Sequence, residues 1–210
     1  ESHSGFNKFN FIWYLKKLLK GLITIIATSN ILFRPLVLPL IKFGYFKNIK
    51  FINKFVETEL DVSRKTEIPD IYLTKPSKFQ TYLAYENLSM VKNDEDKRIE
   101  YAKIYQNRLN QYSELKFQDN TNSSDNIYTY FPVYLERMQE LRSYLIKNNI
   151  DVGPQHYKNT ASILSFEDFY KNCSVAERVS KNLLLLPTYP RYGEKNITKL
   201  CDLISLFFKT

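Results

Sequence analysis

The sequence predicts an α+β fold, with helices laid over a small antiparallel sheet and a mainly helical, basic and apolar segment ahead of it. Three observations lead there. Between residues 76 and 210, runs with helical period alternate with short β-branched or aromatic runs, and turn residues separate them. The order is long helix, strand, helix, strand, helices, short strand, helix, which suits one layer of helices on one sheet. Residues 2–56, in contrast, carry eight lysines and one arginine and no carboxylate, while the rest of the chain is close to balanced. The organisation expected is a basic apolar helical segment over 1–60, a linker over 61–75 and the α+β module over 76–210.

The 210 residues are enough for one or two domains with a sizeable core. A hydrophobic content of 44% excludes a wholly disordered chain. Only five glycines are present, and neither a G-x-G-x-x-G nor a G-x-x-x-x-G-K-[ST] run occurs, so no nucleotide-cradling loop is expected here. Cys173 and Cys201 lie far apart, and His3 and His156 are the two histidines. That set is too sparse for a structural zinc site, and two reduced thiols of a cytoplasmic protein are expected. The chain starts at Glu1 without the pattern of a signal peptide. It is expected to be a fragment with a missing upstream part.

Phe9–Lys20 is helical in pattern and basic towards its end, and Gly21–Ile41 is nearly all apolar, broken by Asn30, Arg34, Pro35 and Pro39. The length would span a bilayer, but Arg34 would cost roughly 2.5–3.5 kcal/mol inside it. The prolines would also remove helical hydrogen bonds. Two alternatives stand. One is an interfacial hairpin with Lys16, Lys17, Lys20, Lys42, Lys47, Lys50 and Lys54 towards anionic headgroups and Trp13, Phe33 and Phe43 in the boundary. The other is a pair of buried helices packed on a larger domain. Nucleic acid is not expected as a partner, because lysines interleaved with so many aliphatic residues do not make a phosphate track.

Pro76-Ser-Lys-Phe-Gln80 opens a helical pattern. Phe79, Leu83 and Met90, then Ile99, Ala102, Tyr105 and Leu109, form a stripe expected in the core, with a break at Asn93–Asp96. Ser113–Asn126 is polar and predicts a loop. Ile127–Val133 predicts a strand. Leu135, Met138, Leu141, Leu145 and Ile146 predict a helix ended by Asn148 and Asn149, with an extended piece from Ile150 to Gly153. Ser165 or Ser174 is expected to cap a short helix. Leu183–Leu186 between the turn residues around it predicts a turn or a short strand. Lys195–Phe208 predicts an amphipathic helix with Ile197, Leu200, Cys201, Ile204 and Phe208 inward.

The string Tyr130-Phe-Pro-Val, then Asn149-Ile-Asp-Val-Gly, His156-Tyr157, Val175-Ala-Glu-Arg and Leu184-Leu-Leu-Pro-Thr-Tyr-Pro resembles the C-terminal part of the DegT-type (DegT/DnrJ/StrS) sugar aminotransferases over about residues 72–208. The resemblance implies the small domain of a fold-type I enzyme. It further implies pyridoxal phosphate as cofactor, a nucleotide-linked keto sugar as substrate, an amino-acid donor such as glutamate, and a homodimer. The family's Asn-x-Arg-x-Ser-x-Leu-Gln signature falls on Leu73, Lys75, Ser77, Phe79 and Gln80. It implies that Lys75 approaches the cofactor phosphate across the dimer interface, while Leu73 cannot supply the asparagine's hydrogen bond. It also implies that His156 and Tyr157 border the substrate pocket. Lys8 lacks the glycine turn that follows the family's aldimine lysine, so that lysine is expected upstream of Glu1.

Overall fold

The computed structural model describes residues 11–49, 52, 75–118, 126–154 and 159–209. The chain divides into two compact units, Glu1–Ser89 and Met90–Thr210. The expected linker lies outside the described residues except for Lys75, as do Lys8, Lys50 and Lys54.

In the first unit, α1 spans Phe11–Ala27. The Thr24 and Thr28 hydroxyls turn back onto the Lys20 and Thr24 carbonyls, at 2.9 and 2.8 Å. The chain then re-enters a helix at α2 (Asn30–Leu32), where the Leu32 N–H donates to Ser29 Oγ at 3.3 Å. Pro35 lacks a backbone donor. The helix accommodates it as a wide π-turn over Phe33–Val37, in which the Leu38 N–H reaches back to the Phe33 carbonyl. α3 follows over Leu38–Phe46 with Pro39 in its first turn, the position where a missing N–H costs least. No helix among the described residues is long and apolar enough to cross a membrane.

α4 spans Lys78–Leu88 and opens on a reciprocal cap. The Gln80 N–H donates to Ser77 Oγ at 3.2 Å, and the Ser77 N–H donates to Gln80 Oε1 at 2.8 Å. Its apolar positions are not core: Phe79 and Leu83, and Met90 just beyond, are exposed. The expected single stripe therefore fails in its first half. The break also lies earlier than expected, at Ser89–Met90, and α5 (Val91–Leu109) runs through Asn93–Asp96. Acidic side chains are favourable in a first helical turn, and Asp96 pairs with Lys92 at 2.7 Å.

In the second unit, α5 buries Tyr101, Ala102, Tyr105 and Leu109. The strand order is β1–β3–β2, antiparallel throughout, with β1 at Tyr130–Tyr134, β2 at Gly153–Pro154 and β3 at Leu183–Pro187. The leucine run left open between turn and strand is thus the central strand. Phe131 pairs with Leu186 and Val133 with Leu184, so these four share one face. That face joins a single core with α5, with α6 (Met138–Lys147) and with α8 (Glu194–Phe207). Tyr105 stacks on Phe131 with ring centroids 5.4 Å apart. β1 begins later than Ile127 because Tyr128 takes a positive φ of 53°, off the pleat.

α6 ends as expected at Asn148 and Asn149. Asn149 adopts φ 63°, and the Ile150 N–H caps the Leu145 carbonyl at 2.9 Å. α7 spans Ser174–Asn182, but Ser174 is its first residue and Cys173 its cap, without a side-chain bond. Ser165 sits inside a 3₁₀ turn, Leu164–Phe169, rather than ahead of a helix. α8 buries Ile197, Leu200, Cys201 and Ile204, while Phe208 is half-buried and stacks on Tyr112 at 4.8 Å.

Two buried hydroxyls complete the sheet. Tyr105 donates to the Pro187 carbonyl at 2.9 Å. Thr188, fully buried, donates to the Tyr128 carbonyl and to that of Thr129 at 3.0 Å. Replacing Thr188 by Val keeps the shape and removes the hydroxyl donor to the Tyr128 carbonyl, while the Thr129 carbonyl still accepts from Arg98 Nη1 at 3.0 Å, so Thr188→Val should cost about 1 kcal/mol in urea denaturation. Removing the exposed Arg108–Asp202 pair between α5 and α8 with Asp202→Asn should cost roughly 1 kcal/mol or less.

Candidate functional site

A polar cleft of about 530 Å³ opens in the second unit between α7 and the coil that precedes it. Its geometry follows from local structure on both sides. β2 is antiparallel to β3, and Pro154 pairs with Leu184, so the chain leaves the sheet at the edge where β3 starts and β1 ends. The described chain resumes at Asn159, whose Nδ2 donates to Glu177 of α7 at 3.2 Å. The 3₁₀ turn at Thr160–Ser162 adds the Ser162 hydroxyl, 3.4 Å from the same carboxylate.

Glu177 is the organising group. Lys181, one turn on, lies 2.6 Å from it. The Lys181 hydrogen bond first, then that of Asn159, holds the Glu177 carboxyl below its ordinary value. Lys171 and Arg178 also line the cleft, so three cations face one carboxylate. At the rim, Asn182 donates to Glu136 at 3.0 Å, and Glu136 also accepts from the Tyr134 hydroxyl. This arrangement can hold a polar or anionic ligand by charge and hydrogen bonds.

A second polar group sits at the opposite edge of the sheet. Burial pushes the Asp151 carboxyl up, opposed by the charge of Arg142. Burial and the nearby Asp151 charge push the Tyr189 phenol up. Both residues stand inside the strings that carry the family resemblance, yet nothing in their spacing marks them as neighbours. Nor does spacing mark Asn159 and Ser162, which lie outside those strings, as partners of Glu177.

Of the residues singled out from the sequence, His156 and Tyr157 lie outside the described residues. Lys75 is described and exposed, just ahead of the α4 cap. Ser77 and Gln80 of the same signature bond to each other, which accounts for both as helix caps. Among the described residues, no group of three or more His, Cys, Asp or Glu side chains is placed to hold a metal ion.

Pyridoxal phosphate chemistry needs a lysine that forms a Schiff base and an acid for the pyridine nitrogen. Every described lysine except the half-buried Lys42 is exposed. Lys42 belongs to the first unit and the desolvated Asp151 to the second. Within either unit, the described residues do not bring a buried lysine and a buried carboxylate together as a cradle for that cofactor.

Residues 72–205 match the model of the DegT/DnrJ/EryC1/StrS aminotransferase family. No curated protein matches the chain. Among solved structures, it is similar to a DegT DnrJ EryC1 StrS aminotransferase from Brucella abortus, with a TM-score of 0.56 and 17% identity over 72% of this chain and 39% of that one. DesV of S. venezuelae, solved in complex with a ketimine intermediate, gives a TM-score of 0.56 and 19% identity over 69% of this chain and 40% of that one. Helicobacter pylori PseC, an aminotransferase involved in the biosynthesis of pseudoaminic acid, gives 0.58 and 14% over 73% and 42%. These likenesses show the fold, and the chain spans about two fifths of the length of each.

Two outcomes test the site geometry. Glu177 has a depressed folded-state pKa, so the stability it contributes is present above its ordinary value of 4.5 and lost as pH falls through the folded value. Urea midpoints of the chain and of Glu177→Gln should therefore differ at neutral pH and converge in acid. Cys173 is exposed, whereas burial pushes the Cys201 thiol up to about 12. Iodoacetamide at neutral pH should label Cys173 on the folded chain and reach Cys201 only after unfolding.

Proposed function

We propose, from the premise that this chain belongs to the DegT/DnrJ/EryC1/StrS aminotransferase family, that it is the supporting C-terminal part of a pyridoxal-phosphate-dependent sugar aminotransferase. The family match over residues 72–205 is the observation that carries this reading. The fold agrees with it, since the likeness to the solved aminotransferases covers 69–73% of this chain.

The reaction proposed is transfer of an amino group from an amino-acid donor, such as glutamate, to a nucleotide-linked keto sugar. The two thiols, free of any disulfide, suit a cytoplasmic enzyme. Pyridoxal phosphate supplies the electron sink, and the aldimine lysine and its acid are contributed by a part of the enzyme other than these 210 residues. His156, with Tyr157 beside it, is proposed to hydrogen-bond the sugar at the border of the pocket. Lys75 is proposed to add charge near the cofactor phosphate of a second subunit in a homodimer. Its exposure at the mouth of the capped α4 turn leaves its ammonium accessible for that role.

Borohydride reduction of the enzyme that contains this chain, followed by peptide mapping, tests the assignment directly. The pyridoxyl-lysine should map outside residues 1–210, and a pyridoxyl group on a lysine of this chain would overturn it. In the same enzyme, His156→Ala should raise KM for the sugar roughly 3- to 10-fold, the worth of one hydrogen bond, with a smaller effect on kcat.

A further inference from the structure

α1 presents an apolar face whose side chains are exposed among the described residues. On a helical wheel, Phe11, Leu15, Leu18, Leu19, Leu22 and Ile26 fall within an arc of roughly 100°. Each of them is between 43% and 67% exposed. Ile12, Ile23 and Ile25 widen the stripe on either side and are equally open to solvent. Lys16, Lys17 and Lys20 occupy the other side of the same helix, all exposed. Exposed large apolar side chains recur in the next helical stretch at Leu36, Leu40, Phe43 and Phe46, beside Arg34, Lys42 and Lys47.

A face of this kind must be covered, because contiguous apolar surface on that scale is costly in water. Charge selects the occupant. No carboxylate occurs between Ser2 and Val56, so every charged side chain carried by α1 and α3 themselves is cationic. A second copy of the helix could cover the leucines but would bring no anionic group to the lysines on the other side. A phospholipid surface with anionic headgroups would neutralise them while the acyl boundary takes the leucines. The length agrees: 17 residues make a rod of about 25 Å, short of a hydrocarbon core of about 30 Å and marked by three lysines. The helix suits lying in the interface rather than crossing it.

We infer that α1 docks this protein flat on an anionic membrane surface, apolar face down, with Lys16, Lys17 and Lys20 reaching the headgroups. The inference is independent of the aminotransferase reading, and its failure would leave that reading standing. Flotation of the enzyme that contains this chain tests it, with vesicles of phosphatidylcholine alone and of phosphatidylcholine mixed with phosphatidylglycerol. The chain should float with the mixed vesicles, release with salt, and float poorly with phosphatidylcholine alone. Lys16→Gln, Lys17→Gln and Lys20→Gln together should weaken partition roughly 100-fold, at about fivefold per lysine. Leu15→Asp with Leu22→Asp should abolish flotation even on anionic vesicles, with unchanged circular dichroism and melting confirming that the variant is folded. The inference is overturned if the chain does not float, if both vesicles bind it equally, or if the leucine variant still floats. It is likewise overturned if the chain is a dimer that this variant dissociates and no flotation occurs, since a second copy would then cover the face.

Discussion

β3 runs Leu183–Pro187 with Leu184 to Pro187 all buried, so both its faces and both its edges have to be supplied by other parts of the chain. Backbone donors and acceptors in such a strand must be paired. β1 takes one edge over five residues and β2 takes the other over two. The Pro187 carbonyl is met by the Tyr105 hydroxyl from α5. Desolvation holds that phenol well above its usual range, which favours the neutral form that donates this bond. The helices are then fixed by what the strand leaves exposed: Leu184 and Leu186 face the core that α5, α6 and α8 close. α7 runs into β3 without an intervening loop, and the Leu135 N–H anchors the junction on the Asn182 carbonyl at 3.1 Å. The wall of the polar cleft is thereby set by the core strand, and the position of Glu177 is a consequence of how the leucines are buried.

How much of this the sequence discloses depends on whether the signal is periodic. α8 and α6 are legible because apolar residues recur at intervals of three and four, and Ile197, Leu200, Cys201 and Ile204, like Met138, Leu141 and Leu145, reach the core. The half-stripe of Phe79, Leu83 and Met90 has the same spacing, yet the side chains are exposed, because period reports an amphipathic face and not what covers it. Asn93–Asp96 resembles a break by composition, but near a helix start acidic residues are stabilising, and the chain turns at Ser89–Met90 instead. The leucine run is too short for its period to be resolved, and its status as central strand depends on partners some 50 residues upstream.

The candidate site was less legible than the fold, for a related reason. Its groups come together through tertiary folding: Asn159 and Ser162 reach Glu177 from 18 and 15 residues away. The Val-Ala-Glu-Arg string points to the family without indicating that its glutamate collects three hydrogen-bonding partners. The signature around Lys75 shows the converse. Ser77 and Gln80 match the family pattern, and their observed bonds are to each other, a local capping need that any helix starting here would have.

The two units differ in how they satisfy the hydrophobic requirement. Residues 90–210 enclose a core of their own in which Tyr105, Leu109, Leu145, Leu186 and Leu200 lose all solvent contact. The described helices of the first unit bury few residues, Leu38 and Gly44 among them, while their large apolar side chains remain open. Helices of 9 to 17 residues draw most of their stability from packing of an apolar face rather than from propensity. The first unit therefore requires a surface from outside itself, and its lysines restrict which surface can serve. An apolar protein wall would meet the stripe alone, whereas an anionic lipid interface meets the apolar stripe and the charges together. A lipid-docked aminotransferase is consistent with both halves of the chain, because the family match begins at residue 72, beyond every residue of α1.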